Sequence, residues 1–274
     1  MNLPQDFPRD LRVVATDFDR TLVGEDVTLH ARTIAALQRA RASGMHVIVV
    51  TGRMVRSIRQ AIAPAALDDP VICYQGAVVA DADGNWLRHE PIPLELARET
   101  IAALAEDGWS PNVYVDDELY VAEDTLEARR YSDLNKIPFY VVGPLLDWLE
   151  APPTKLVLVG EPAELDALRP RMDERFGDRE HIAKSLPHFL EFARGGVTKG
   201  DGLDFLADHL GFTPEQTVAF GDGENDIELV EWAGYSVAVG NAHDRVKALA
   251  DFVCPPVTEE GVAQVLEAYL DSVT

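Results

Sequence analysis

Two aspartates one residue apart, Asp17 and Asp19, end a short apolar run that begins at Val13. Carboxylates held together at the end of a buried segment repel each other, so the pair calls for a divalent cation or a shared proton. Two later places have the same character. Thr51-Gly52-Arg53 follows a second apolar run, and Gly221-Asp222-Gly223-Glu224-Asn225-Asp226 follows a third. Taken alone, an aspartate after a strand is ordinarily a helix cap or a turn residue, and Asp226 suits the cap of the helix behind it. Lys199 alone reads as a solvated surface lysine. Their shared position changes that balance. If the three runs are strands of one parallel sheet, their carboxyl ends lie on one edge, at the crevice where open α/β sheets bind ligands. Asp17, Asp19, Asp222 and Asp226 then gather. Hard oxygen donors of this kind suit Mg²⁺, whose shell is commonly shared with waters and a substrate phosphate.

The elements that must position these residues alternate. After the opening strand, a helical pattern over 30–43 carries Ile34, Leu37 and Ala40 and stops at Gly44. A strand over 45–50, a helix over about 55–63 and a short strand over 71–74 follow. The texture changes at the turn cluster Asp81-Ala82-Asp83-Gly84-Asn85. Residues 85–187 then read as a separate α/β unit. Helices are expected over 94–107, 125–134 and 163–176, with strands over 112–115, 119–122, 155–159, 181–184 and 189–192. The first pattern resumes with a helix over 199–210 and strands over 217–220 and 236–239. Helices over about 226–232, 242–250 and 261–270 complete it. Alternation of this kind predicts an α/β fold, a Rossmann-like doubly wound parallel sheet, with an inserted α/β cap. The expected boundaries are 1–84 and 188–274 for the discontinuous core and 85–187 for the cap.

The 274 residues leave room for two domains, and 47% hydrophobic with 26% charged residues suits a globular chain. A net charge of −23 argues against nucleic acid or an anionic membrane surface as partner. It also means that an anionic ligand needs local positive charge in its site. Cys73 and Cys254 have no metal-binding spacing and read as buried thiols. With neither a signal peptide pattern nor a membrane-length apolar run, a cytoplasmic protein, monomer or homodimer, is expected.

The four ordered motifs Asp17-Phe18-Asp19-Arg20-Thr21-Leu22, Thr51-Gly52-Arg53, Lys199 and Gly221-Asp222-Gly223-Glu224-Asn225-Asp226 resemble those of the haloacid dehalogenase superfamily. The α/β insert between the second and third motifs resembles its Cof-like branch, which includes many sugar-phosphate phosphatases. The resemblance spans the chain. It implies Asp17 as the nucleophile that forms an aspartyl-phosphate and Asp19 as the general acid and base. It implies Mg²⁺ held by Asp17, the backbone carbonyl of Asp19 and Asp222. Thr51, Gly52, Lys199 and Asn225 would bind phosphate, with Asp226, Thr21 and Arg53 supporting. Arg20 stands where this family commonly has glycine, so its side chain must point outward or into the entrance.

The implied function is Mg²⁺-dependent hydrolysis of a small phosphomonoester. Alternatives are a phosphomutase of the phosphomannomutase type or a non-catalytic phosphometabolite-binding protein. A mutase would need a basic cap. Arg98, Arg129, Arg130, Lys136, Lys155 and Lys184 form no recognisable cluster in sequence. Trp109, Tyr114, Tyr120, His181 and His188 are cap side chains that could face a substrate or simply pack.

Overall fold

Val13, Val14 and Ala15 have no solvent exposure, as a strand covered on both faces requires. They open β1 (Val13–Asp17), the centre from which the first of two compact units is built. In the computed structural model, which describes residues 1–273, that unit comprises Met1–Leu87 and the segment from Thr198 onward, and the second is Arg88–Val197.

The first unit continues through α1 (Ala31–Ala42), β2 (His46–Val50), α2 (Val55–Ile62), β3 (Val71–Cys73), β4 (Val78–Ala80) and the start of β5 (Trp86–His89). Thr33, Ala36, Leu37 and Ala40 are the buried residues of α1, one helical stripe, and Gly44 stops the helix at φ 91°. The second unit carries α3 (Leu94–Glu106), β6 (Asn112–Val115), β7 (Glu118–Val121), α4 (Leu126–Asn135), β8 (Phe139–Val141) and α5 (Leu145–Trp148). It closes with β9 (Lys155–Val159), α6 (Pro162–Phe176), β10 (Glu180–Leu186) and β11 (Phe189–Arg194). The chain returns to the first unit with α7 (Lys199–Leu210), β12 (Thr217–Gly221), α8 (Ile227–Trp232), β13 (Tyr235–Val239), α9 (Asp244–Leu249), β14 (Phe252–Cys254) and α10 (Gly261–Val273).

The larger sheet runs β14-β13-β12-β1-β2-β3-β4-β5. Strands β14 through β3 are parallel, and β4 turns back antiparallel to β3. Thr16 pairs with Val49 and with Phe220, so the ends of β1, β2 and β12 fall on one edge. Val13, Ala15, Ile48, Val50 and Ala219 form one apolar face, covered by Leu203, Leu206 and Leu229 of α7 and α8. The smaller sheet runs β10-β11-β9-β6-β7-β8 and is mostly antiparallel. Its own core joins Leu104 of α3 and Leu168, Met172 and Phe176 of α6 to Val113, Leu156, Leu158 and Phe192 of the sheet.

Four short strands, β4, β5, β8 and β14, were absent from the sequence reading, and β3 ends at Cys73, one residue early. The expected boundary at 187/188 falls ten residues short. β11 pairs with β10 and β9, so residues 188–197 belong to the inserted unit. Cys73 and Cys254 are both buried and form no disulfide.

Candidate active site

Asp17 is the last residue of β1, and the residue is only 5% exposed. Lys199 reaches it from the first turn of α7. Its Nζ donates to Asp17 Oδ1 at 2.6 Å and to Asp226 Oδ1 at 2.5 Å. The start of α7 is fixed by a capping box. The Asp201 backbone N–H donates to Thr198 Oγ1 (3.2 Å), and the Thr198 backbone N–H donates to Asp201 Oδ2 (2.8 Å). Lys199 is therefore placed as the first residue of a helix whose register cannot slide. With 1% exposure it is no surface lysine.

Asp226 leads α8, yet its side chain does not cap that helix. Oδ2 instead accepts the backbone N–H groups of Asp222 and Gly223, both at 2.9 Å. One oxygen thus shapes the loop after β12 while the other holds Lys199. Asp222, 5% exposed, receives Thr21 Oγ1 at 3.3 Å and lies 3.5 Å from Arg20 Nε.

Ligand oxygens of Asp17, Asp222 and Asp226 lie within 4.8 Å of one another. Burial, above all, raises the Asp17 carboxyl well above its ordinary range. Lys199 opposes that shift, and the neighbouring carboxylates reinforce it. Burial and Asp226 push Asp222 up to about 6, with Arg20, Lys199 and Thr21 pulling it back. Burial alone would depress Lys199, but Asp17 and Asp226 lift it above its ordinary value. One ammonium among three buried carboxylates leaves negative charge uncompensated, and hard oxygen donors at this spacing fit Mg²⁺. Asp226 commits both oxygens to short contacts, whereas Asp17 has one oxygen bonded to Lys199 and Asp222 only long contacts at 3.3 and 3.5 Å. Asp17 and Asp222 are therefore the side chains with more capacity for an ion.

Asp19 faces elsewhere. Its carboxylate, 45% exposed, is gripped by both arms of Arg53, with Nε to Oδ2 at 2.7 Å and Nη2 to Oδ1 at 2.6 Å. The Arg53 guanidinium also sits 5.1 Å above the ring of buried Phe18. Arg53 therefore fixes the orientation of Asp19.

Thr51 is 1% exposed. Its own backbone N–H goes to Ile72 O, and its hydroxyl oxygen accepts the N–H of Arg53 at 3.2 Å, which leaves the hydroxyl proton to donate. The helix behind this motif begins only at Val55.

Gln75 escaped the sequence reading. Tyr74, Gln75 and Gly76 all have positive φ, at 52°, 59° and 104°. This tight coil turns the Gln75 side chain onto Gly52, where an added Cβ would lie 2.4 Å from Nε2. Gln75 Oε1 accepts Asn225 Nδ2 at 3.1 Å, tying the second motif to the fourth. Gly76 presses against Thr198 O, 1.9 Å from where a Cβ would stand, and so locks the coil to the start of α7. The only signal in sequence was a polar-glycine pair after an apolar run.

Arg20 adopts φ 63°, the left-handed region where glycine is free of cost. Its N–H donates to Val23 O (2.7 Å) and its carbonyl accepts Asn241 Nδ2 (2.8 Å), so the turn closes despite the side chain.

Apart from Lys155, which lies over the Tyr114 ring, most of the cap candidates are engaged with separate local partners. Arg98 donates to Leu149 O, Arg129 pairs with Asp124, Lys184 with Asp166 and Lys155 with Glu191. Tyr114 and Tyr131 hydrogen-bond through their hydroxyls at 2.7 Å, Tyr120 packs on Trp148, and Trp109 packs against the cap core. His188 Nδ1 lies 3.1 Å from Gly160 O, and His181 is partly buried.

A buried aspartate cluster with a lysine at the strand ends of a parallel sheet, in a chain with an inserted α/β unit, is an arrangement shared with a class of hydrolases. Residues 14–266 match the family model of haloacid dehalogenase-like hydrolases, and the chain belongs to that family. Among its relatives, the pyridoxal phosphate phosphatase YbhA of Escherichia coli is 31% identical over 94% of this chain and 98% of its own. The 5-amino-6-(5-phospho-D-ribitylamino)uracil phosphatase YitU of Bacillus subtilis is 29% identical over 94% and 97%. The crystal structure of TM0651 from Thermotoga maritima superposes with a TM-score of 0.85 at 31% identity, covering 94% of this chain and 97% of that one. No helix among the described residues is long and apolar enough to cross a membrane.

Proposed function

We propose that the protein is a Mg²⁺-dependent phosphatase that hydrolyses small phosphomonoesters through an aspartyl-phosphate on Asp17. The observation that carries this reading is the buried Asp17 carboxylate. It is held by Lys199 at 2.6 Å and stands beside Asp222 at the end of the central strand. Lys199 aims one Asp17 oxygen, leaving the other to attack phosphorus. In the transition state the same ammonium offsets negative charge on the phosphoryl oxygens. The Thr51 hydroxyl donates to those oxygens, and Asn225, steadied by Gln75, supports them from the opposite loop.

Asp19, held at both oxygens by Arg53 in the resting site, must give up one of those contacts to take up a proton, which it then passes to the leaving oxygen. It then takes one from the water that attacks the acyl-phosphate. Asp17, the Asp19 carbonyl and Asp222 would hold a Mg²⁺ ion, which would supply the charge compensation that lets an anionic nucleophile meet an anionic ester. Splitting the hydrolysis into two displacements lowers a barrier that is very high in water.

Both curated relatives described above are phosphatases of small phosphorylated metabolites, which supports hydrolysis over mutase or binding roles. The test is phosphate release from p-nitrophenyl phosphate with and without MgCl₂. It is followed by a panel holding hexose phosphates, flavin mononucleotide, pyridoxal 5′-phosphate and the ribitylaminouracil phosphate. We expect Mg²⁺-dependent turnover that Asp17→Asn abolishes. Turnover surviving in Asp17→Asn, or none across the panel, sinks the reading. Isomerisation of a hexose 1-phosphate with a bisphosphate activator, without net phosphate release, would establish the mutase instead.

A further inference from the structure

We infer that Arg20 and a divalent cation compete for the Asp222 carboxylate, so that Arg20 sets the metal affinity of the site. This rests on the reading of Asp222 as a metal ligand. The geometry is that of a held but releasable counter-ion. Arg20 Nε lies 3.5 Å from Asp222 Oδ2, while Oδ1 takes the Thr21 hydroxyl at 3.3 Å. The contact is single and long, unlike the two short arms that Arg53 lays on Asp19 at 2.6 and 2.7 Å. The Arg20 side chain is 61% exposed, so it can swing into water at little cost.

Its backbone, by contrast, is anchored. Asn241 Nδ2 holds the Arg20 carbonyl at 2.8 Å, and Asn241 Oδ1 in turn accepts the N–H of Val257, also at 2.8 Å. A left-handed turn at φ 63° is kept at a residue with a Cβ, and what that conformation achieves is to present a guanidinium to Asp222.

Two effects of this arrangement act in one direction. The guanidinium sits against one of the two oxygens open to the ion, and its charge repels the incoming dication. For an exposed ion pair the occupied fraction raises the apparent dissociation constant by about two- to six-fold.

The experiment is titration calorimetry of MgCl₂ into the EDTA-treated full-length protein, compared with Arg20→Gly, Arg20→Gln and Asp222→Asn. The Gln variant removes the charge but keeps a side chain at the left-handed position, whereas Gly also relieves the backbone. We expect both to bind Mg²⁺ about two- to six-fold more tightly, with the gain shrinking at 0.5 M NaCl, a concentration at which charge is screened beyond about 4 Å. Asp222→Asn should bind Mg²⁺ far more weakly. Unchanged or weaker binding in Arg20→Gln overturns the role of Arg20, as does a gain confined to Arg20→Gly. Native protein that binds no Mg²⁺, or an Asp222→Asn variant that binds as native, overturns the metal reading and this inference with it.

Discussion

Replacing Lys199 with methionine removes the one ammonium that lies between Asp17 and Asp226. The side chain has no measurable exposure, its partners are 7% and 1% exposed, and its two contacts are 2.6 and 2.5 Å. Met is close in length, so the loss is of charge more than of volume. Breaking a buried pair by deleting one partner costs about 3–5 kcal/mol, because the surviving charges are left without compensation. For a domain of this size that corresponds to a fall in Tm of about 6–20 °C. The deficit should depend on pH. Asp17 already holds its proton more tightly than an ordinary aspartate because it is buried. Without Lys199 it takes up a proton more readily still, so the variant regains stability relative to the native protein as pH falls from 7.5 to 5. The assay is thermal and urea unfolding of both proteins at the two pH values, with Lys199→Met/Asp226→Asn as the compensating double variant. An Asn at 226 keeps an acceptor for the N–H groups of Asp222 and Gly223 while removing a stranded charge. The double variant should therefore be more stable than Lys199→Met. A cost below about 1 kcal/mol at pH 7.5, or no recovery in the double variant, would refute the view of Lys199 as the keystone of this cluster.

Two further outcomes are expected. Arg53→Gln frees Asp19 from its bidentate clamp and should lower kcat about 10- to 100-fold with little change in KM, since a misplaced proton donor affects the transition state more than binding; an unchanged kcat would count against an orienting role. In the cap, Glu180 is 1% exposed, accepts Thr100 Oγ1 at 3.0 Å, and has no partner for Oε1 among the described residues. Burial pushes its carboxyl from 4.5 to about 7, with Thr100 and Arg179 opposing. A raised carboxyl stabilises the fold fully below about pH 4.5 and loses that contribution as pH climbs through about 7. Glu180→Gln should therefore gain on the native protein over that window, reaching about 1–3 kcal/mol at pH 8 by chemical denaturation. A difference independent of pH would show that burial does not govern this group.

The fold was legible where period and punctuation agreed. The strands β1, β2, β12 and β13 stood out as short apolar runs closed by polar or glycine turns, and α1 and α7 by a helical stripe and a glycine stop. The site motifs could be read because each sits at such a strand end. Three-residue strands such as β4 and β14 were hidden because so short a run has no period to measure. Gln75 was hidden for another reason. Its place against Gly52 depends on a coil of three positive φ values, in which only Gly76 is a residue type that announces one. The Arg53–Asp19 clamp is likewise a matter of rotamers, and sequence offered Arg53 only as a supporting residue.

The position of β1 in its sheet also governs when the enzyme can come into being. One edge of β1 pairs with β2, available early in synthesis, but the other waits for β12, with Val13 opposite Thr217. Between them the ribosome must produce Arg88–Val197, which has a core of its own to condense while the central strand still shows an open apolar edge. Lys199, Asp222 and Asp226 arrive with the same late segment that closes that edge. A chain interrupted anywhere before Thr198 thus carries Asp17 without the lysine that pairs with it, and the acidic cluster is complete only once the segment bearing Asp222 and Asp226 has been made.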